Sequence, residues 1–146
     1  MRALEFRAWW KDTKRFLDCD EWYMTCSGAK YLHYAVMPYK DDNFIIEQYT
    51  GLKDKNGTKI YEGDIVLDYY DGDDAFIVEW DKDAASFILT DTDNIICVNF
   101  YDYFPDKELE VIGNIHENPE LIENKEHNDN EEWDGTTLWF QMKFLD

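Results

Sequence analysis

The chain has 146 residues, 33 of them acidic and 14 basic, giving a formal net charge of −19. That charge argues against a general nucleic-acid binder, whose affinity comes mainly from Lys and Arg, and against docking on an anionic membrane face. With 45% hydrophobic and 17% aromatic residues, the sequence nonetheless belongs with folded chains of one-domain length, not with solvated polyelectrolytes.

Leu4 to Trp10 reads as a strand, with Leu4, Phe6 and Ala8 on one face. A polar turn at Lys11 to Lys14 leads into Arg15-Phe16-Leu17, which predicts a hairpin. Trp22 to Met24 and Tyr31 to Met37 add β-type content, and Pro38 to Asn43 breaks it. Phe44 to Thr50 is the next strand. Asn56-Gly57, set between Leu52-Lys53 and Ile60-Tyr61, suits positive φ at both central positions of a type I′ turn. From Gly63-Asp64-Ile65-Val66 onward, short strands recur at roughly ten-residue spacing, joined by Asp/Gly/Asn turns, as in a small barrel or sandwich. Leu109 to Ile115 closes the series. Asn118-Pro119 then predicts a short helix, as cap and first helical residue. Residues 124–134 read as an acidic linker, and Leu138 to Leu145 as an apolar segment that needs a partner surface.

The charge is unevenly spread. Residues 1–40 carry a net +2, residues 64–112 a net −12 and residues 113–146 a net −7. The acidity therefore begins at Asp64, which bears on surfaces and partners rather than on fold. Basic and aromatic residues interleave only near the start, so Arg7, Trp9, Trp10 and Lys14 form the candidate nucleic-acid face.

No apolar leader region opens the chain, and no run approaches the roughly 18 residues of a membrane span. The odd cysteine count (Cys19, Cys26, Cys97) shows no framework spacing, so a reduced, cytoplasmic setting is expected. Asp71-Gly72-Asp73-Asp74 and Asp91-Thr92-Asp93-Asn94 read as solvated turns, because neither has the Gly and Glu offsets of a calcium loop. Cys19, Cys26 and His33 are too widely spaced for a zinc site. Cys97, between Ile96 and Val98, reads as an inert thiol. His116 and His127 lack a matching partner in the sequence. No nucleotide, metalloprotease or nucleophile-elbow motif is present. No metal, cofactor or catalytic residue is expected.

Three stretches together resemble the YopX family of phage and prophage proteins. They are Phe6-Arg7-Ala8-Trp9, then Gln48-Tyr49-Thr50-Gly51-Leu52-Lys53-Asp54-Lys55-Asn56-Gly57 running on to Ile60-Tyr61-Glu62-Gly63-Asp64-Ile65-Val66, and Glu110-Val111-Ile112-Gly113-Asn114-Ile115-His116-Glu117-Asn118-Pro119-Glu120-Leu121. The resemblance covers about residues 1–123 and leaves 124–146 outside. The family usually has an acidic residue where Trp10 stands and an aromatic one where His116 stands.

The resemblance implies a mainly β fold: an N-terminal β region over 1–60, a small SH3-like barrel over 61–123 and one short helix after it, with 124–146 as linker and apolar segment. It also implies a phage or prophage source in a bacterial cytoplasm, and no established enzymatic activity. The family-motif residues Tyr49, Gly51, Leu52, Asp54, Gly57, Tyr61, Gly63 and Asp64 are expected to build the junction between the two β regions. Gly51 and Gly57 would supply permissive backbone angles, and Asp64 would accept backbone N–H bonds at the strand start.

The function expected is that of a non-enzymatic accessory protein, binding a basic protein partner with its acidic surface, in one variant as a DNA mimic. A homo-oligomer joined through Leu138 to Leu145 is also expected. The alternatives are a nucleic-acid-associated protein of phage replication or recombination, and a metal-dependent enzyme using Asp clusters.

Overall fold

A computed structural model describes residues 4–32, 39–40, 43–69, 74–91, 97–103 and 108–123. The chain is mainly β, with twelve strands among these residues and one short α-helix. Three sheets form, and the largest is curled into a half-barrel.

The first sheet has the order β2-β1-β6-β7. It comprises β1 (Phe6–Trp10), β2 (Arg15–Phe16), β6 (Phe44–Lys53) and β7 (Lys59–Tyr61). The β1–β2 hairpin forms as the polar turn predicts, with Trp9 opposite Phe16. A small sheet follows from β3 (Trp22–Met24), β4 (Lys30–Leu32) and β5 (Tyr39–Lys40). One face of β1 packs toward it: Ala8, Leu17, Leu32 and Phe44 are buried together, with Trp10, Trp22 and Ile46 against them. Of the apolar face read from Leu4, Phe6 and Ala8, only Ala8 is buried, since Leu4 and Phe6 stand in solvent at the open end of the strand.

The half-barrel has the order β11-β10-β9-β8-β12. Its strands are β8 (Asp64–Asp68), β9 (Asp74–Asp81), β10 (Ser86–Asp91), β11 (Cys97–Asn99) and β12 (Leu109–Asn114). Alternating side chains of β8, β9 and β10 point inward. Val66, Phe76, Val78, Phe87 and Leu89 thereby build the core that Ile60, Phe100 and Leu109 complete. Trp80, in register with Phe76 and Val78, is instead 44% exposed and meets Phe87 edge-on. The hairpin of the first sheet reaches into this half: Ile60 belongs to the barrel core and Leu52 packs against it.

Two local expectations change. The predicted post-barrel helix is only a single 3-10 turn at Pro119–Leu121, where Asn118 makes no side-chain cap. The α-helix, α1 (Phe100–Tyr103), lies inside the barrel sequence, where Asn99 Oδ1 accepts the Tyr101 and Asp102 N–H groups.

The turn at Asn56-Gly57 is not type I′, because only Gly57 has positive φ. Gly57 N–H donates to the Asp54 carbonyl, and Asp54 Oδ1 accepts from Asn56 and Thr58 N–H. That is a type I turn followed by a left-handed residue, favoured here because the Asp54 side chain satisfies the loop donors.

Candidate functional site

Most of the motif residues gather where the first sheet meets the half-barrel. β1 and β6 pair antiparallel with Arg7 directly opposite Glu47. On this face Arg7 Nε donates to Glu47 Oε2 at 2.7 Å, and a second guanidinium nitrogen donates to Asp64 Oδ1 at 2.7 Å. The same nitrogen reaches the Glu62 carbonyl at 3.2 Å. Asp64 Oδ2 accepts the Tyr61 N–H at 2.8 Å, which is the strand-start role expected of Asp64. The guanidinium lies between the rings of Phe16 and Tyr61, 4.5 and 4.7 Å from their centroids, so cation–π attraction adds to the charge pairing.

His116 completes the cluster from the far side. Its Nε2 lies 2.5 Å from Glu47 Oε1. Its ring stacks on Trp9 with centroids 4.9 Å apart and planes 11° from parallel, and Phe16 approaches edge-on. The imidazole thus stacks on an indole ring and also gives Glu47 a partner. Glu47, Asp64 and Trp9 are buried and Arg7 is nearly so.

Two glycines make the arrangement possible. Gly63 has φ +82°, and a Cβ there would sit 2.3 Å from Glu47 Oε1. Its N–H donates to the Val78 carbonyl and its own carbonyl accepts from Ile115, which stitches β9 and the β12 end to the cluster. Gly113 lies at the bulge of β12, and a Cβ there would meet Asn118 Oδ1 at 2.4 Å. Beyond it Asn114 Oδ1 accepts the His116 and Glu117 N–H groups, and Asn118 N–H donates to the Asn114 carbonyl. The Gly113–Asn118 stretch is therefore a turn that presents His116 to Glu47 and Trp9.

Asp54 holds the other end of the junction. Besides its loop, its Oδ2 accepts the Val111 N–H of β12 at 3.0 Å, and Lys55 N–H donates to the Leu109 carbonyl. Tyr49 pairs with Tyr61 across β6 and β7, centroids 5.5 Å apart, covering the hairpin base. Gly51, at φ +89°, sits in the irregular stretch of that pair.

Burial pushes the Asp64 carboxyl up from the ordinary carboxylate range, with Arg7 pulling the other way. Burial also raises Glu62, opposed by the Gln48 N–H and reinforced by the charges of Glu47 and Glu79.

Of the four residues proposed as a nucleic-acid face, Arg7 and Trp9 point into this cluster. Trp10 is half-buried, its Nε1 having no hydrogen-bond partner among the described residues, and Lys14 is exposed. Cys19 and Cys26 are exposed free thiols. No group of His, Cys, Asp or Glu suited to a metal occurs among the described residues. His33, His127, Asp71 to Asp73, Asp93-Asn94 and Leu138 to Leu145 lie outside the described residues, as does the side chain of Cys97. No helix among the described residues is long and apolar enough to cross a membrane.

The sequence reading missed Glu47 and the pairing of His116. One signal was available: Glu47 shares a strand face with Ile45 and Tyr49 in an apolar run, where a lone carboxylate needs a partner.

The fold and the cluster define the chain as a mainly β protein in which one sheet meets a curled half-barrel at a buried ionic cluster. The chain belongs to the YopX family, whose model matches residues 5–123. Protein EF1440 from Enterococcus faecalis is 26% identical, with a TM-score of 0.58 over 84% of this chain and 100% of that one. Protein yopX from Bacillus subtilis shares the fold at 17% identity, with a TM-score of 0.51 over 85% and 98%. No curated protein sequence matches the chain.

Proposed function

We propose that this protein is a non-enzymatic phage or prophage accessory protein that acts as an interaction module for a basic protein partner. The observation that carries the reading is the saturation of its most polar site. Both oxygens of Glu47 and both of Asp64 have close partners in Arg7, His116 and the Tyr61 N–H. Each carboxylate is thus committed to holding the two halves together and is not poised to take a substrate proton. Arg7 and Trp9 serve the same junction, which removes support from the reading as a nucleic-acid binder. The net −12 of residues 64–112 leaves electrostatic attraction to a cationic protein as the main long-range force.

A pull-down from bacterial lysate at low salt, followed by direct titration of the recovered proteins, tests this. A basic protein whose affinity falls steeply with salt is expected. Recovery of no basic protein at low salt overturns the reading.

A further inference from the structure

Beside the ionic cluster runs an open groove of about 760 Å³, which opens between β6, the β9–β10 hairpin and the turn after β12. Over the buried Val78, its accessible apolar lining comes from Ile45, Ile77, Trp80, Ile88, Ile115 and Ile122. Each of these six is half-buried or exposed, and Trp80 and Ile45 are 44% and 36% exposed. Its polar lining includes Glu62, Glu79, Asp81, Asp83 and the ammonium of Lys82, together with Glu47 and His116, which are already paired with each other in the cluster.

We propose that this groove docks an extended segment of a partner protein in which arginine or lysine alternates with aliphatic side chains; this deepens the interaction-module reading and rests on it. The six apolar side chains of the groove gain only from apolar groups that exclude water. Four carboxylates outside the ionic cluster, with one ammonium among them, attract cations and repel nucleic acid. A second copy of this chain, itself at −19, is repelled as well. A metal ion has no use for an isoleucine lining. Alternating side chains of an extended segment meet both demands at once, apolar ones inward and cationic ones toward the rim. The open ring of Trp80 favours a guanidinium over an ammonium. Burial already raises Glu62, with Glu47 and Glu79 adding to it, so an arriving cation relieves a carboxylate held at a cost.

The test titrates the full chain into a fluorescently labelled eight-residue Arg-Leu alternating peptide, read by anisotropy at low salt. Arg-Ser and Glu-Leu peptides serve as probes of the two demands. The Arg-Leu peptide is expected to bind, and both other peptides to bind at least about tenfold more weakly. Ile45→Ser and Asp83→Lys change exposed positions and are each expected to weaken Arg-Leu binding about tenfold. Unchanged binding by both variants overturns the groove while leaving the interaction module standing. Arg-Ser binding as tight as Arg-Leu, or Glu-Leu binding at all comparably, also overturns it. Absence of Arg-Leu binding overturns the groove, and the lysate experiment then decides the broader reading separately.

Discussion

Replacing Gly63 with alanine separates backbone strain from the cluster it serves. Gly51, Gly57 and Gly63 have nearly the same left-handed φ, +89°, +83° and +82°. A Cβ at Gly51 or Gly57 meets nothing within 4 Å, whereas at Gly63 it would overlap Glu47 Oε1 at 2.3 Å and Cδ at 2.9 Å. Gly51→Ala and Gly57→Ala therefore carry only the left-handed penalty, about 1–2 kcal/mol each. Gly63→Ala carries that penalty and also moves the Glu47 carboxylate by roughly an ångström, since ordinary contacts begin near 3.4 Å. Such a shift breaks the contacts with Arg7 and His116, at 2.7 and 2.5 Å. Breaking a buried pair costs about 3–5 kcal/mol. The carboxylate lies at the end of a flexible side chain and recovers part of this, so Gly63→Ala is expected to cost about 2 kcal/mol more than either control. Urea unfolding at neutral pH, followed by tryptophan fluorescence, measures all three. In the double variant Gly63→Ala/Glu47→Ala the overlap is gone, so the two costs should fall short of additive by about the same 2 kcal/mol. A Gly63→Ala cost no larger than that of Gly57→Ala refutes the reasoning.

Arg7→Ala leaves Glu47 and Asp64 buried without their cation and should cost about 3–5 kcal/mol at neutral pH; the loss should shrink in acid as Asp64, whose carboxyl burial already pushes up, takes on its proton, which urea unfolding across a pH series would show. His116→Phe keeps a ring against Trp9 but leaves Glu47 Oε1 unpaired, at about 1–3 kcal/mol; His116→Ala, losing the stack as well, should be worse by calorimetry. Glu62 has a raised folded-state pKa, so the folded protein holds that proton more tightly than the unfolded chain and ionisation at neutral pH destabilises it. Glu62→Gln should therefore raise Tm at pH 7 and lose the advantage as pH falls below the ordinary carboxylate range, and a lower Tm at pH 7 would contradict this.

The sequence made the strands of the half-barrel legible through their roughly ten-residue spacing and their Asp/Gly/Asn turns, and on β9 and β10 the alternating Phe76, Val78, Phe87 and Leu89 are buried in one core. It did not make β1 legible in the same way. Ala8 and Trp10 face one layer while Arg7 and Trp9 face another, so both sides of the strand are covered and no clean alternation survives. The turn at Gly57 was visible as a turn, but its type was decided by Asp54, three residues earlier, whose carboxylate competes for the loop donors. The family motif contains residues of this junction without stating its chemistry, because Glu47 and His116 are 69 residues apart and meet only through tertiary packing.

Two glycines at the junction acquire one cause in this arrangement. Gly63 and Gly113 differ in backbone conformation, yet each leaves out a side chain that would strike a group serving the cluster: Glu47 itself, and the Asn118 that closes the His116 turn. An aliphatic junction of equal volume would tolerate a methyl group at either place more readily, because packed apolar surfaces can repack without giving up the directional contacts that a carboxylate loses when it moves. The ionic cluster thus imposes a stricter geometry on the meeting of the two sheets than apolar packing would. It also joins Ile45 on β6, Trp80 on β9 and Ile115 beyond β12, three of the residues that line the groove. A buried pair of this kind contributes little net stability on average. Its effect here is to hold the elements that line the groove in one arrangement, the pre-ordering that the proposed cationic segment would require.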